Sequence, residues 1–240
     1  GSQPSPKRLE NQMAGVLWEN WRIVASGYAA VWARENTREA LFDAFKRREV
    51  YATTGSRIQV RFFGGWDYQP NDVDRPTYLD IAYSGGVPMG GDLMQAPPDK
   101  APTLLVVAAK DPDGANLDRI QIVKGWLGQD GVLSEKVYNV AWSGDRKVDP
   151  ATGKLPAVGN TVEVESATYL NSIGATDLAV VWLDPDFDAQ ERAFYYARVL
   201  EIPTPRWTTY DAAFFNLELD AEIPRVIQDR AYTSPVWYTP

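Results

Sequence analysis

Ile58, Val60 and Phe62 alternate with Arg57, Gln59 and Arg61, the period-two pattern of a strand with one buried face. Apolar, β-branched and aromatic runs predict further strands at residues 28–33, 78–83, 104–109, 119–126, 137–142, 161–168, 178–183 and 193–202. Turn-forming pairs separate them, among them Gly64-Gly65, Gly85-Gly86, Asp113-Gly114, Asp130-Gly131, Asp149-Pro150 and Asp184-Pro185. Residues 69–76 and 95–102, rich in Pro and Asp, read as solvated loops. Short strands between punctuated turns predict a mainly β chain folded as an antiparallel β-sandwich.

The first quarter reads differently. Leu9, Met13, Val16 and Leu17 recur at helical spacing, with Trp18 and Trp21 beside them. A second helix is predicted over residues 37–48. Asn36-Thr37-Arg38-Glu39 has the form of a capping box, and Ala40, Leu41, Ala44 and Phe45 line one face. Lys46, Arg47 and Arg48 fall in its last turn, where cations suit the helix dipole. The change of period near Val50 divides the chain into a helix-strand-helix segment, residues 1–56, and a β domain, residues 57–240. A lone strand cannot bury both faces, so the first segment has the form of the end of a larger α/β domain.

Composition narrows the chemistry. Of 240 residues, 45% are apolar and 23% charged, the range of a folded globular chain. Lys and Arg total 24 against 32 Asp and Glu, a net charge of −8, which disfavours binding to a nucleic-acid backbone. The longest apolar run, residues 103–109, falls far short of the ~20 residues of a spanning helix, so no membrane partner is expected. There is no His and no Cys, which excludes Ser-His and Cys-His nucleophiles and His- or Cys-ligated metal within these residues. Carboxylate, Lys, Tyr or Thr chemistry remains, or binding, and no cofactor or metal is expected in this chain.

Several segments invite a site. Asp184-Pro185-Asp186-Phe187-Asp188 has the rhythm of a calcium loop, but Ala189 stands where Gly is needed and Tyr195 where the bidentate Glu is needed. Asp111-Pro112-Asp113-Gly114 fails in the same way, with Ile122 at the twelfth position. Both read as acidic turns. The Gly-rich segment 85–91 lacks the Lys-Ser/Thr of a phosphate loop and reads as a turn needing positive φ. Residues 53–57 read as a hinge. The 9 Trp and 12 Tyr serve either as sugar-stacking platforms or as core, with Trp126, Trp142 and Trp182 inside the sandwich. After Pro203 and Pro205 come Arg206, Trp207, Tyr210 and Asp211, a planar donor fork beside two aromatic rings.

The segment Tyr51-Ala52-Thr53-Thr54-Gly55, closing a match that begins at Tyr28, resembles the bacterial domain-of-unknown-function 3604 family. So do Arg61-Phe62-Phe63-Gly64-Gly65-Trp66-Asp67, the stretches 85–92, 117–125 and 194–207, and Thr233-Ser234-Pro235-Val236-Trp237-Tyr238. The likeness covers residues 26–240 in the family's order. It implies a PHP-superfamily metal-dependent hydrolase, with a distorted β/α barrel ahead of a β domain. The metal ligands of such proteins lie in His-x-His and Asp-x-His motifs, which this sequence does not contain. The resemblance therefore implies that this chain is a C-terminal β part, inactive alone, whose partner is a missing N-terminal PHP-like domain carrying divalent metal ions. It also implies export to the periplasm or beyond. In that setting Arg206, Trp207 and Tyr210 are expected to bind a small anionic substrate at the barrel mouth. Their alternative role is a structural staple, with Arg206 paired to Asp211 or stacked on Trp207. Two rival functions stand beside the hydrolase, a stand-alone glycan-binding module and a purely structural sandwich.

Overall fold

The structure, a computed structural model, describes residues 3–9 and 19–240. The N-terminal helix expected through Met13, Val16 and Leu17 lies outside the described residues, and Trp21 sits in a short 3-10 turn, Asn20–Arg22. The chain then forms β1 (Tyr28–Val31), α1 (Arg38–Lys46), β2 (Val50–Thr53), β3 (Gln59–Gly65), α2 (Tyr78–Gly85), β4 (Gly86–Pro88) and β5 (Asp92–Met94). It continues through β6 (Thr103–Ala109), β7 (Leu117–Leu127), β8 (Leu133–Trp142), β9 (Asp177–Leu183) and β10 (Arg192–Glu201). Last come β11 (Thr204–Pro205), α3 (Trp207–Phe215), β12 (Val226–Ile227), β13 (Arg230–Thr233) and β14 (Val236–Thr239).

The fold is mainly β, as the alternation predicts. A large sheet is centred on β10, which pairs antiparallel with β7 along one edge, and β7 pairs with β8. Along its other edge β10 meets β14 and then β13. From β13 the sheet extends through β2 to β1, and from β14 it extends to β5 by a parallel pairing. A smaller antiparallel sheet runs β4-β3-β6-β9. One cluster joins Val60, Phe62, Leu104 and Val106 of the small sheet to Ile120, Ile122, Tyr195, Val199 and Val236 of the large one. The two sheets thus share a core, and each fully buried side chain of this size contributes about 1.5–3 kcal/mol.

The sheet runs through the expected boundary between residues 56 and 57. β1 has β2 as a neighbour and β2 has β13, so the strand at 28–31 is a member of the large sheet. Residues 54–58 carry the chain from one sheet to the other. They form a fastened corner, not a hinge: Thr54 Oγ1 donates to Asp229 Oδ1 at 2.6 Å, the Arg57 backbone N–H to Asp111 Oδ2 at 2.7 Å, and Arg57 Nη2 to Asp113 Oδ2 at 2.8 Å.

Four local expectations are corrected. Residues 78–83 form α2 and not a strand. Tyr78, Ile81 and Ala82 fit helical spacing equally well, and the outer face of the small sheet, through Phe63 and Leu105, needs an apolar cover. Residues 161–168 form no strand beyond one bridge between Glu163 and Thr168, because Asn160 and Thr161 side chains bond the nearby backbone of Val162 and Leu170. The loop at 69–76 holds a 3-10 turn, Pro70–Asp74, in which buried Asp72 accepts from the Gln69 N–H at 2.7 Å. The cap of α1 is Thr37, whose hydroxyl accepts from Ala40 N–H at 3.3 Å, and not Asn36. In the Gly-rich segment 85–91, positive φ is required at Gly90 (+84°). Thr37→Ala is expected to cost about 0.5–1 kcal/mol of stability in urea unfolding, since the bond is long and exposed.

Candidate functional site

The strongest convergence of charged side chains on a cavity lies where the end of α1 meets β3 and α2. α1 ends at Lys46; two residues on, Arg48 takes the left-handed conformation (φ 59°), and the chain turns back so that Glu49 N–H bonds the Ala44 carbonyl at 3.1 Å. The Glu49 carbonyl accepts from Trp32 N–H at 3.0 Å. Glu49 is thereby pinned on both sides and buried, 4% exposed. Its Oε1 accepts from the Tyr83 hydroxyl and lies 3.6 Å from Arg61 Nη1, while Oε2 lies 3.5 Å from Arg47 Nη2. Arg61 Nη1 also donates to Tyr83 Oη at 3.2 Å, and its guanidinium stacks on Trp32 at 3.4 Å from the ring centroid. Trp32 is held in turn by donating from Nε1 to the Val60 carbonyl at 2.8 Å.

These groups open on a cavity of about 650 Å³ lined by Trp32, Arg34, Arg47, Glu49, Arg61 and Tyr83. That volume suits a small ligand. Three guanidinium groups face one carboxylate, a surplus of two positive charges. Among the described residues Arg34 makes no ion pair, so its donors are available. Burial, and then the bond to Glu49, push the Tyr83 phenol up to about 12, so at neutral pH Tyr83 is a hydrogen-bond donor. The arrangement can hold an anion through planar donor forks. Its Glu49 and Tyr83 keep Arg61 and Arg47 aimed before any ligand arrives.

The sequence-predicted residues sit elsewhere. Arg206 immediately precedes α3, and Trp207 and Tyr210 lie on that helix; none of the three lines this cavity. Arg206 is 6% exposed and donates from Nη2 to the Ile23 carbonyl at 3.2 Å. Trp207 Nε1 donates to the same carbonyl at 2.7 Å. Asp211 pairs with Arg8 at 2.8 Å and not with Arg206, whose guanidinium instead lies over the Trp207 ring at 5.6 Å, while the Arg8 guanidinium covers the same ring at 4.5 Å. The structure thus uses this group to fasten residues 3–9 and 19–23 onto α3. Tyr210 is half exposed.

Both acidic turns are tied up by protein groups. Asp184 is fully buried and pairs with Lys124 at 2.7 Å; Asp186 accepts from Lys136 at 2.5 Å and from Tyr138 at 2.6 Å. Asp111, expected in a solvated turn, is buried against Arg57. Among the described residues no group of three or more Asp and Glu side chains is arranged to hold a metal ion. No helix of the described residues is long and apolar enough to cross a membrane.

Fold and cavity together define a β-sandwich with a cationic pocket between its edge and a covering helix. The chain belongs to the DUF3604 family of proteins of unknown function, whose profile matches residues 1–240. No curated protein and no solved structure matches it.

Proposed function

We propose that the chain recognises a small anionic ligand, through a carboxylate, phosphate or sulfate group, in the cavity of Arg34, Arg47 and Arg61. The observation that carries this reading is the surplus of guanidinium groups around one pre-aimed carboxylate, in a chain whose net charge is −8. Arg61, stacked on Trp32 and anchored by Glu49 and Tyr83, is the fixed donor fork. Arg34 and Arg47, both exposed, close on the anion from the side of α1. In the hydrolase setting that the resemblance implies, this pocket would bind the anionic part of a substrate whose bond is cut elsewhere.

Thermal unfolding in phosphate or sulfate, against chloride at matched ionic strength, tests the proposal. A ligand at 100 times its Kd adds about 2.7 kcal/mol of stability. Stabilisation that saturates with phosphate or sulfate, and needs at least tenfold more anion in Arg34→Ala, is the expected result. Equal stabilisation of Arg34→Ala and the parent chain would contradict it.

A further inference from the structure

On the outer face of the large sheet, Phe194 of β10 stands directly opposite Trp237 of β14 on one side and Gly125 of β7 on the other. A side chain at 125 would have its Cβ 2.4 Å from Phe194 Cζ, so Gly125 leaves the space the Phe194 ring occupies. The Phe194 and Trp237 rings are 5.4 Å apart, tilted by 51°, and Trp237 is 41% exposed. Trp126, Leu127 and Leu133 continue the lining of a cleft of about 610 Å³. Its charged lining residues are Glu135 and Arg192. Among the described residues neither forms an ion pair or a side-chain hydrogen bond, and both are exposed.

We propose that this cleft binds a neutral oligosaccharide. The cleft's own charges cancel, one carboxylate against one guanidinium, which matches an uncharged ligand and not the anion of the other pocket. Aromatic faces take the C–H side of a sugar ring, while its hydroxyls donate to Glu135 and accept from Arg192. A protein interface would place few charged groups at its centre, whereas here an unpaired acid and base both line the cleft. The cleft's lining residues are distinct from those of the cationic pocket, so the two readings stand or fall separately.

The test is calorimetric titration of the intact chain with cellohexaose, xylohexaose, laminarihexaose and mannohexaose. Saturable binding to at least one probe is expected, weakened more than tenfold in Trp237→Ala. Because Trp237 contributes to sheet packing, Arg192→Ala and Glu135→Gln serve as exposed companions, each expected to weaken binding several-fold with an unchanged circular dichroism spectrum. Anion binding in the other pocket should persist in all three variants. The proposal is overturned if no probe binds, or if binding survives Trp237→Ala in folded protein. It is overturned equally if light scattering shows a dimer that Leu133→Ser dissolves, which would make the cleft a protein contact.

Discussion

Lys124→Met is expected to cost about 3–5 kcal/mol of folding stability, enough to threaten the fold of an ordinary domain. Lys124 lies on the inner face of β7, its side chain 3% exposed, and its ammonium pairs with Asp184 Oδ2 at 2.7 Å and donates to the Asp186 carbonyl at 2.7 Å. The Tyr195 hydroxyl donates to the same Asp184 oxygen at 2.7 Å, and burial beside this carboxylate pushes the Tyr195 phenol far up. Removing the ammonium leaves a carboxylate in the sandwich without its counter-charge, and desolvation then dominates. The double variant Lys124→Met/Asp184→Leu removes both charges and should recover much of the loss, leaving the Tyr195 hydroxyl and the Asp186 N–H without their acceptor as the residue of the defect. Urea unfolding of the two single variants and the double variant measures this. Equal destabilisation of single and double variants would show that packing, not charge pairing, holds this end of the sandwich.

Stability should fall as pH rises from about 5 to 8, and Glu201→Gln should remove that fall. Glu201 ends β10 at 2% exposure, and its Oε1 has no hydrogen-bond partner. Burial first, then the nearby Asp229 and Asp111, push its carboxyl up to about 7, against the pull of Ser56 and Lys110. Tyr169 also faces it. The folded-state value lies above the ordinary 4.5, so the folded chain retains a proton that the unfolded chain has released. Stability is therefore unaffected below about pH 4.5 and decreases through pH 7, by about 3 kcal/mol in total. Glu201→Gln should match the parent chain near pH 4 and exceed it by about that amount at pH 8. Parallel stability profiles of the two proteins across this range would refute the account.

The fold was legible where pattern and tertiary need agree. β6 is apolar along its length because the other sheet covers one face and α2 the other, β10 alternates because one face alone is buried, and α1 is bounded by side-chain chemistry within one turn. α2 was not legible, because Tyr78 to Tyr83 is apolar at both periods and only the exposed outer face of β3 and β6 decides between them. β1 gains its neighbours from residues 50–53 and, beyond them, 230–233, a pairing no local window contains. The cationic pocket was invisible for the same reason. Trp32, Arg34, Arg47, Glu49, Arg61 and Tyr83 come from four separate stretches, and each has an innocent local role. Arg47 reads as a helix-end cation and Arg61 as the polar side of an alternating strand. The signal that could have raised it is the density of Arg between residues 34 and 61 in an acidic chain. Arg206 and Trp207 are neighbours in sequence and in space, but both donate to the Ile23 carbonyl and the Trp207 ring lies under Arg8, so the pair serves packing rather than a pocket.

The cationic pocket is tested most directly by nuclear magnetic resonance of the arginine side chains during a titration with inorganic phosphate. Anion recognition at this site requires the Nε–Hε signals of Arg34, Arg47 and Arg61 to shift together along one saturating curve, with Arg192 and Arg206 unmoved. Shifts spread evenly over the exposed arginines and growing without saturation, or an unmoved Arg61, would contradict it.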